Sequence, residues 1–184
     1  MEAVLTELKA AAGTLHLLAP YQNTPSEVVP DFLDFCSGCL GDGARVVEVG
    51  SGDARLLIEV ARRAPALLQL QGFEVDAEAL TEAAEALAAA PDVSDRIVLH
   101  PEDVMSSSQV NWSEVTFAFT YLTVAGLTRF WPFFCKTLPP GTRFVAIQFQ
   151  IPGVQAIDTG TSKYVDARGV EIVFRFYMYE TPLA

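Results

Sequence analysis

Short apolar strands alternate with helices along most of this chain, and this alternation constrains the fold more than any other feature. Helices of about 10 to 15 residues between β-branched strands are typical of right-handed crossover units, which build a mostly parallel sheet covered on both faces. The sequence therefore predicts an α/β, doubly wound architecture. The predicted strands are 44–49, 67–75, 96–100, 115–123 and 142–150, and the predicted helices between them are 53–63, 76–90 and 126–138.

The chain after residue 150 departs from this alternation. Two predicted strands, at 162–166 and 170–180, flank a turn at Ala167-Arg168-Gly169. Strands joined by a tight, glycine-containing turn predict an antiparallel hairpin. We therefore expect a seven-stranded sheet whose C-terminal part is this hairpin.

The N-terminal region is predicted to be helical. One helix covers 1–18, and a second begins at about Pro25, with Thr24 or Ser26 as its N-cap. A chain of 184 residues fits one domain. Within domain 1–184 we predict an N-terminal helical cap at 1–42, a cofactor-binding core at 43–150 and the C-terminal hairpin at 151–184.

The charge balance limits the partners that this chain can have. Its 23 Asp and Glu outnumber its 12 Lys and Arg, for a net charge of −11, so phosphate backbones are repelled and no nucleic-acid partner is expected. A basic protein segment or a cationic small molecule would be attracted. Every apolar stretch is shorter than the roughly 18 residues of a membrane span. Because the first residues also lack a secretory signal, we predict a cytoplasmic protein without a membrane span.

Cys36 and Cys39 have the spacing found in zinc sites and redox pairs. A structural zinc site requires a second pair of ligands. The remaining candidates, Cys135, His16 and His100, are far apart in the sequence, so no metal is expected. The surrounding PDFLDFCSGCL instead predicts two thiols at the end of an amphipathic helix.

The exit of the first predicted strand is where an open parallel sheet binds its ligand. It reads Glu48-Val49-Gly50-Ser51-Gly52-Asp53-Ala54-Arg55, a turn with Gly50 and Gly52 that opens directly into a helix. The dinucleotide fingerprint G-x-G-x-x-G would need glycine where Arg55 stands. Asp53 also puts a carboxylate in the first helical turn, where it repels phosphate. The turn therefore predicts a ligand without phosphates and with a cationic end, such as S-adenosylmethionine.

Acidic residues also follow the next two predicted strands. Glu74 ends the second strand about 20 positions after the glycine-rich turn, where a carboxylate can accept hydrogen bonds from both ribose hydroxyls. Asp103 follows the third strand, where its carboxylate can accept from an adenine amino group while Val104 packs on the ring. The alternative for each acid is a solvated loop carboxylate.

These residues, taken in order from the first strand to the fifth, resemble the motifs of class I S-adenosylmethionine-dependent methyltransferases, whose sheet is Rossmann-like. More narrowly, the chain is similar to the small protein-lysine methyltransferases, above all the family that modifies the ATP synthase c subunit and the adenine nucleotide translocase, with its bacterial relatives. A remoter likeness is to the non-SET histone-core lysine methyltransferases. The segments that carry the resemblance are PYQNTP at 20–25, VVEVGSGDAR at 46–55, GFEVD at 72–76, FAFTYLT at 117–123 and LPPGTRFVAIQFQIPG at 138–153.

The resemblance implies a methyltransferase with S-adenosylmethionine as its cofactor and a lysine amine of a protein as its acceptor. It also implies that Thr120 and Tyr121, at the end of the fourth strand, face the transferring methyl group. Ala54 stands where the family's turn usually has glycine. The cofactor contacts that the resemblance implies come from Tyr21, Thr24, Glu48, Gly50, Gly52, Glu74 and Asp103.

Methyl transfer is an in-line displacement, so the protein mainly aligns and desolvates the reactants. A lysine nucleophile must lose its proton, which burial in an apolar channel favours. Tyr21, Tyr121 and Phe149 are candidate walls of that channel, and Trp131 is another, although its spacing from Phe134 favours a core position on a helix. Two alternatives stay open: a methyltransferase that acts on a small molecule, and a catalytically silent S-adenosylmethionine-binding partner subunit.

Overall fold

A seven-stranded sheet organises the computed structural model, which describes residues 22–182. Its strands are β1 (Arg45–Val49), β2 (Gln69–Phe73), β3 (Ile97–His100), β4 (Phe117–Thr120), β5 (Arg143–Ile147), β6 (Asp158–Val165) and β7 (Glu171–Glu180). The spatial order is β3-β2-β1-β4-β5-β7-β6. Strands β1 to β5 are parallel to their neighbours, whereas β7 is antiparallel to both β5 and β6.

The strand order reverses between β1 and β4. The carboxyl ends of these two strands therefore form the switch point where open α/β sheets bind their ligands. This topology confirms the predicted doubly wound, mostly parallel sheet with a C-terminal antiparallel hairpin.

Helices cover both faces of the sheet. They are α1 (Val29–Phe35), α2 (Arg55–Arg63), α3 (Ala77–Ala88) and α4 (Val124–Thr137). On one face, Phe32 of α1 packs against Phe119 of β4 with ring centroids 5.2 Å apart. On the other face, Trp131 of α4 is half-buried and packs against Tyr179 of β7, with ring centroids 5.6 Å apart, at the margin of the apolar core. Within residues 22–182, no helix combines the length and the apolar composition that crossing a membrane requires.

The central strands can be predicted from the sequence because they are buried on both faces. Every residue of β4 is buried, and so is every residue of β1 after Arg45, which explains their nearly continuous apolar sequences. The edge strand β6 is different, since most of its residues are exposed. It begins at Asp158 rather than at the predicted 162, because residues 158–161 lack the apolar alternation by which a strand is predicted.

The N-terminal predictions are tested only in part. The helix over 1–18 and Tyr21 lie outside the described residues. Neither Thr24 nor Ser26 caps the next helix: Pro25 precedes a short 3-10 helix, and no side chain accepts from its amides. The division of the domain into cap, core and hairpin stays a prediction.

Candidate functional site

The glycine-rich turn between β1 and α2 is tied to the end of β2 by main-chain hydrogen bonds. The amides of Gly50 and Ser51 both donate to the carbonyl of Phe73, at 2.8 and 3.0 Å. Gly50 and Gly52 have φ values of 71° and 53°, a left-handed conformation that glycine adopts without steric cost. Ala54, fully buried, takes the same conformation with a φ of 62°, at a cost of about 1 to 2 kcal/mol. The turn is therefore a preformed loop whose shape depends on β2.

Gly72 of β2 lets this turn lie close against the sheet. A Cβ atom at Gly72 would lie 2.8 Å from both Cβ and Oγ of Ser51, and closer still to a methyl group of Leu57. No side chain fits there unless the turn moves. Gly72 is not among the predicted site residues, although an isolated glycine inside a strand is a known signal of close backbone approach.

Replacing Gly72 with alanine is expected to lower the free energy of unfolding by about 1 to 3 kcal/mol, because the added methyl group overpacks the contact with Ser51. Urea denaturation followed by circular dichroism measures the change. Gly41→Ala is the matched control, since a Cβ there meets no atom within 4 Å. Equal stability of the two variants would contradict the close approach.

The Glu74 carboxylate bridges the loops that follow β1 and β2. Its Oε2 accepts from the Gly52 amide at 2.9 Å, and its Oε1 accepts from the amides of Val75 and Asp76 at 2.7 and 2.9 Å. A carboxylate oxygen has two lone pairs, so Oε2 can accept a further hydrogen bond. Glu74 Oε2 is therefore an available acceptor at the carboxyl end of β2. The predicted contact with the ribose stays a prediction.

Glu48 of β1 is a buried carboxyl group without a hydrogen-bond partner for its Oε2 among the residues that the structure describes. Burial raises the pKa of Glu48 well above its usual range, and the nearby Asp53 and Glu74 carboxylates raise it further. A buried, unpaired carboxyl group is costly unless a donor or a cation meets it. An ammonium group satisfies this requirement, so the residues of the turn fit the cationic end of S-adenosylmethionine.

Replacing Glu48 with glutamine is expected to raise the Tm of the ligand-free protein, and the gain should grow with pH. Because the pKa of Glu48 is higher in the folded chain than its ordinary value of 4.5, its contribution to stability is complete below about pH 4.5 and is lost as the pH rises through the folded-state pKa. Glutamine has no such proton to lose. Thermal unfolding from about pH 4 to pH 8 measures the difference, with the exposed Glu85→Gln as control. A gain that is independent of pH would contradict this account of Glu48.

Arg55 connects the segment before α1 to the glycine-rich turn. Its Nη1 donates to the Thr24 carbonyl at 3.1 Å, and its Nε donates to Asp53 Oδ2 at 2.7 Å. The Asp53 charge is therefore already paired with a guanidinium, and its predicted contact with the cofactor stays a prediction. Next to Thr24, Asn23 Oδ1 is buried without a hydrogen-bond partner within residues 22–182, as is Ser51 Oγ in the turn. The sequence predicts no role for Arg55 beyond excluding the dinucleotide fingerprint, because its partner Thr24 lies 31 residues away in the chain.

Asp103 and Val104 follow β3 at the same edge of the sheet. Asp103 Oδ1 accepts from the Met105 amide at 3.0 Å, and Oδ2 lies 3.6 Å from Nη2 of Arg129. Val104 is buried in the apolar layer beneath α4. The predicted adenine contacts of both residues stay predictions.

Thr120 is the last residue of β4 and is fully buried. Its hydroxyl donates to the Val49 carbonyl at 2.6 Å, which joins the ends of β4 and β1 at the switch point. The hydroxyl hydrogen is therefore used in a hydrogen bond between β4 and β1. The predicted contact of Thr120 with the transferring methyl group stays a prediction.

Tyr121 follows β4 directly and is half-buried at the carboxyl edge. Its ring packs edge-on against Phe174 of β7, with centroids 5.8 Å apart. Burial, and next the neighbouring Tyr164, raise the pKa of Tyr121 above its usual range, so the phenol is neutral at neutral pH. Phe149, after β5, is 37% exposed near the same edge.

The cysteine pair at the end of α1 lies away from this edge. Cys36 is buried and Cys39 half-buried, and both are free thiols whose pKa is raised by burial. A raised pKa disfavours the thiolate that metal binding and redox chemistry need. In the described part of the chain, no three His, Cys, Asp or Glu side chains are grouped as metal ligands.

Comparison with known proteins identifies the family. The sequence model of the ANTKMT methyltransferase domain matches residues 48–158, which is more than half of the chain. The chain belongs to this family. No curated protein matches the sequence.

Two solved structures of methyltransferases share the fold. An RNA methyltransferase from Salinibacter ruber in complex with S-adenosyl-L-homocysteine is similar with a TM-score of 0.71 and 24% identity, over 89% of this chain and 95% of that chain. A precorrin-6y C5,15-methyltransferase from Geobacter metallireducens is similar with a TM-score of 0.64 and 13% identity, over 89% of this chain and 93% of that chain.

Family membership and fold together confirm the predicted class I S-adenosylmethionine-dependent methyltransferase with a Rossmann-like sheet. The matched region begins at Glu48 and includes the glycine-rich turn, Glu74, Asp103 and β4. The acceptor does not follow from the fold, because one fold can serve unrelated acceptors.

Proposed function

We propose that this ANTKMT-family methyltransferase transfers the methyl group of S-adenosylmethionine to a lysine amine of a cytoplasmic protein that presents a basic segment. The observation that carries the cofactor site is the buried carboxyl group of Glu48 beside the glycine-rich turn, whose Oε2 has no hydrogen-bond partner among residues 22–182. The family match supports methyl transfer. Lysine as the acceptor is supported by the resemblance to the enzymes that modify the ATP synthase c subunit and the adenine nucleotide translocase.

The carboxyl ends of β1, β2 and β3 would hold the cofactor. Glu48 would bind its ammonium group, the turn at Gly50 and Gly52 would lie against its methionine end, and Glu74 Oε2 would accept from the ribose. Asp103, which follows β3, would accept from the adenine amino group. The chemistry that the bound cofactor supplies is an electrophilic methyl group on a sulfonium. Further proposed contacts are Tyr21, Thr24, Asp53 and Val104.

The acceptor would lie above the end of β4. Tyr121 follows Thr120, whose hydroxyl is bound to the end of β1, so the proposed cofactor and acceptor positions are adjacent. A lysine ammonium group has a pKa near 10.4 in water and must release its proton before attack. Loss of the water shell beside the half-buried Tyr121 would lower that pKa, and the neutral phenol can accept a hydrogen bond from the amine. We propose Tyr121 as the catalytic residue that orients the nitrogen, with Thr120 supporting it.

The net charge of −11 supports a basic protein partner over a nucleic acid. The negative electrostatic field of the protein raises the local concentration of a positively charged segment at low salt. The same field repels phosphate backbones. The same charge would not select among uncharged small molecules.

Methyl transfer to lysine is tested with tritium-labelled S-adenosylmethionine and a bacterial protein extract divided into three samples. One sample is untreated, one has its lysines blocked by acetylation, which converts each amine to a non-nucleophilic amide, and one is the small-molecule filtrate. We expect label in the untreated proteins, recovered as methyl-lysine after acid hydrolysis, and none in the other two samples. Glu74→Ala is the cofactor-site control, because it removes the acceptor of three main-chain hydrogen bonds.

Other outcomes would contradict the proposal in distinct ways. Label in the filtrate would favour the small-molecule methyltransferase. Equal label in blocked and untreated proteins would exclude lysine as the acceptor. Binding of S-adenosylhomocysteine without transfer to any sample would favour the catalytically silent partner subunit.

A further inference from the structure

The C-terminal hairpin extends beyond the rest of the sheet at the edge where the site lies. β5 ends at Ile147, which is paired with Phe176 of β7, so residues 171–175 of β7 continue past the end of β5. They remain paired with residues 161–165 of β6. We call these two paired segments the overhang. Five residues at about 3.3 Å each carry the overhang roughly 16 Å past β5.

Gln148 anchors the overhang at its base. Its amide donates to the Arg175 carbonyl at 2.7 Å, and its side-chain Oε1 accepts from the Arg175 amide at 3.2 Å, so the side chain replaces a strand carbonyl. The φ of Gln148 is 72°, a strained value for a residue with a side chain, and such strain persists where the surrounding structure holds it. The overhang is therefore fixed to the end of β5.

One face of the overhang is aromatic and contacts Tyr121. Phe174 contacts two tyrosine rings, with centroid distances of 5.8 Å to Tyr121 and 6.1 Å to Tyr164. We call these three rings the aromatic cluster. Ser162, directly opposite Phe174 in the strand register, is 1% exposed, and its Oγ has no hydrogen-bond partner in the described structure. Rings beside an unpaired hydroxyl fit an alkyl chain that ends in an N–H donor.

The cations of the overhang belong to its other face. Side chains alternate along a strand, so Lys163 and Arg175 are directed away from the face that carries Tyr164 and Phe174. Lys163 is also bound to Glu171 at 3.0 Å. No positive charge of the overhang therefore competes with a cation at the aromatic cluster.

We propose that the aromatic cluster recognises the acceptor and that Tyr164 is a specificity-determining residue that selects an aliphatic ammonium group. This inference rests on the proposed function and specifies its acceptor side. Aromatic faces attract an ammonium group, most strongly when water is excluded. Tyr121 stands beside the proposed reacting positions, Tyr164 supplies a further aromatic face, and Ser162 Oγ supplies a hydrogen-bond acceptor.

Nuclear magnetic resonance of ring-labelled tyrosines tests the inference without turnover. The protein, saturated with S-adenosylhomocysteine, is titrated with n-butylammonium chloride as the probe and with n-butanol as its neutral counterpart. Tyrosine-to-phenylalanine variants assign the signals. We expect saturable shifts of Tyr121 and Tyr164, no shift of Tyr177 in the other apolar layer, and affinity for n-butanol at least about fivefold lower.

Substitutions separate recognition from folding. Tyr164→Ala and Ser162→Ala should each weaken n-butylammonium binding about fivefold, whereas Tyr164→Phe, which keeps the ring, and Tyr177→Phe should retain it. Every variant should bind S-adenosylhomocysteine like the wild type, which shows that its fold is intact. Equal affinity for the two probes, absence of saturable shifts, or wild-type binding by both alanine variants would overturn the proposal.

The methyl-transfer experiment distinguishes a failure of this inference from a failure of the proposed function. Transfer to lysine with unchanged acceptor KM in Tyr164→Ala would contradict the role of the aromatic cluster alone. Label outside lysine would contradict the lysine acceptor, while the ammonium affinity of the aromatic cluster would still be decided by the titration.

Discussion

The contact between the glycine-rich turn and the end of β2 is the constraint on which the site depends. Two amides of the turn share the Phe73 carbonyl, the Gly52 amide is bound by the Glu74 carboxylate, and Gly72 leaves room for Ser51. None of these contacts uses the carboxyl group of Glu48. The position of the turn follows from strand pairing, and its chemistry follows from the acids around it.

The three acids around the glycine-rich turn, Glu48, Asp53 and Glu74, have different partners, and the difference explains the proposed ligand. Asp53 is paired with Arg55, and Glu74 is bound by main-chain amides. Glu48 keeps a buried oxygen without a partner in the described residues. Burial and the nearby carboxylates of Asp53 and Glu74 make it unfavourable to ionise Glu48, and a bound cation would favour its ionised form. An anionic ligand would make the ionisation of Glu48 still less favourable.

The sequence was sufficient for features that follow from local patterns. Burial on both faces makes β1 and β4 apolar, so the strand-helix alternation predicted the parallel sheet. Features that depend on distant partners were not predictable. The hydrogen bond of Thr120 to Val49, the bridge from Arg55 to Thr24 and the anchoring of the overhang by Gln148 join segments with no local signal for each other. The polar start of β6 was missed because an edge strand needs no apolar alternation.

The most direct test of the central claim is isothermal titration of wild-type protein and Glu48→Gln with S-adenosylmethionine and S-adenosylhomocysteine, with NAD as the control ligand. The account predicts micromolar binding of the first two ligands to the wild type, no binding of NAD, and affinity about tenfold weaker or more in Glu48→Gln, because a charge-assisted contact is lost. Wild-type affinity in Glu48→Gln, or binding of NAD comparable to that of S-adenosylhomocysteine, would contradict it.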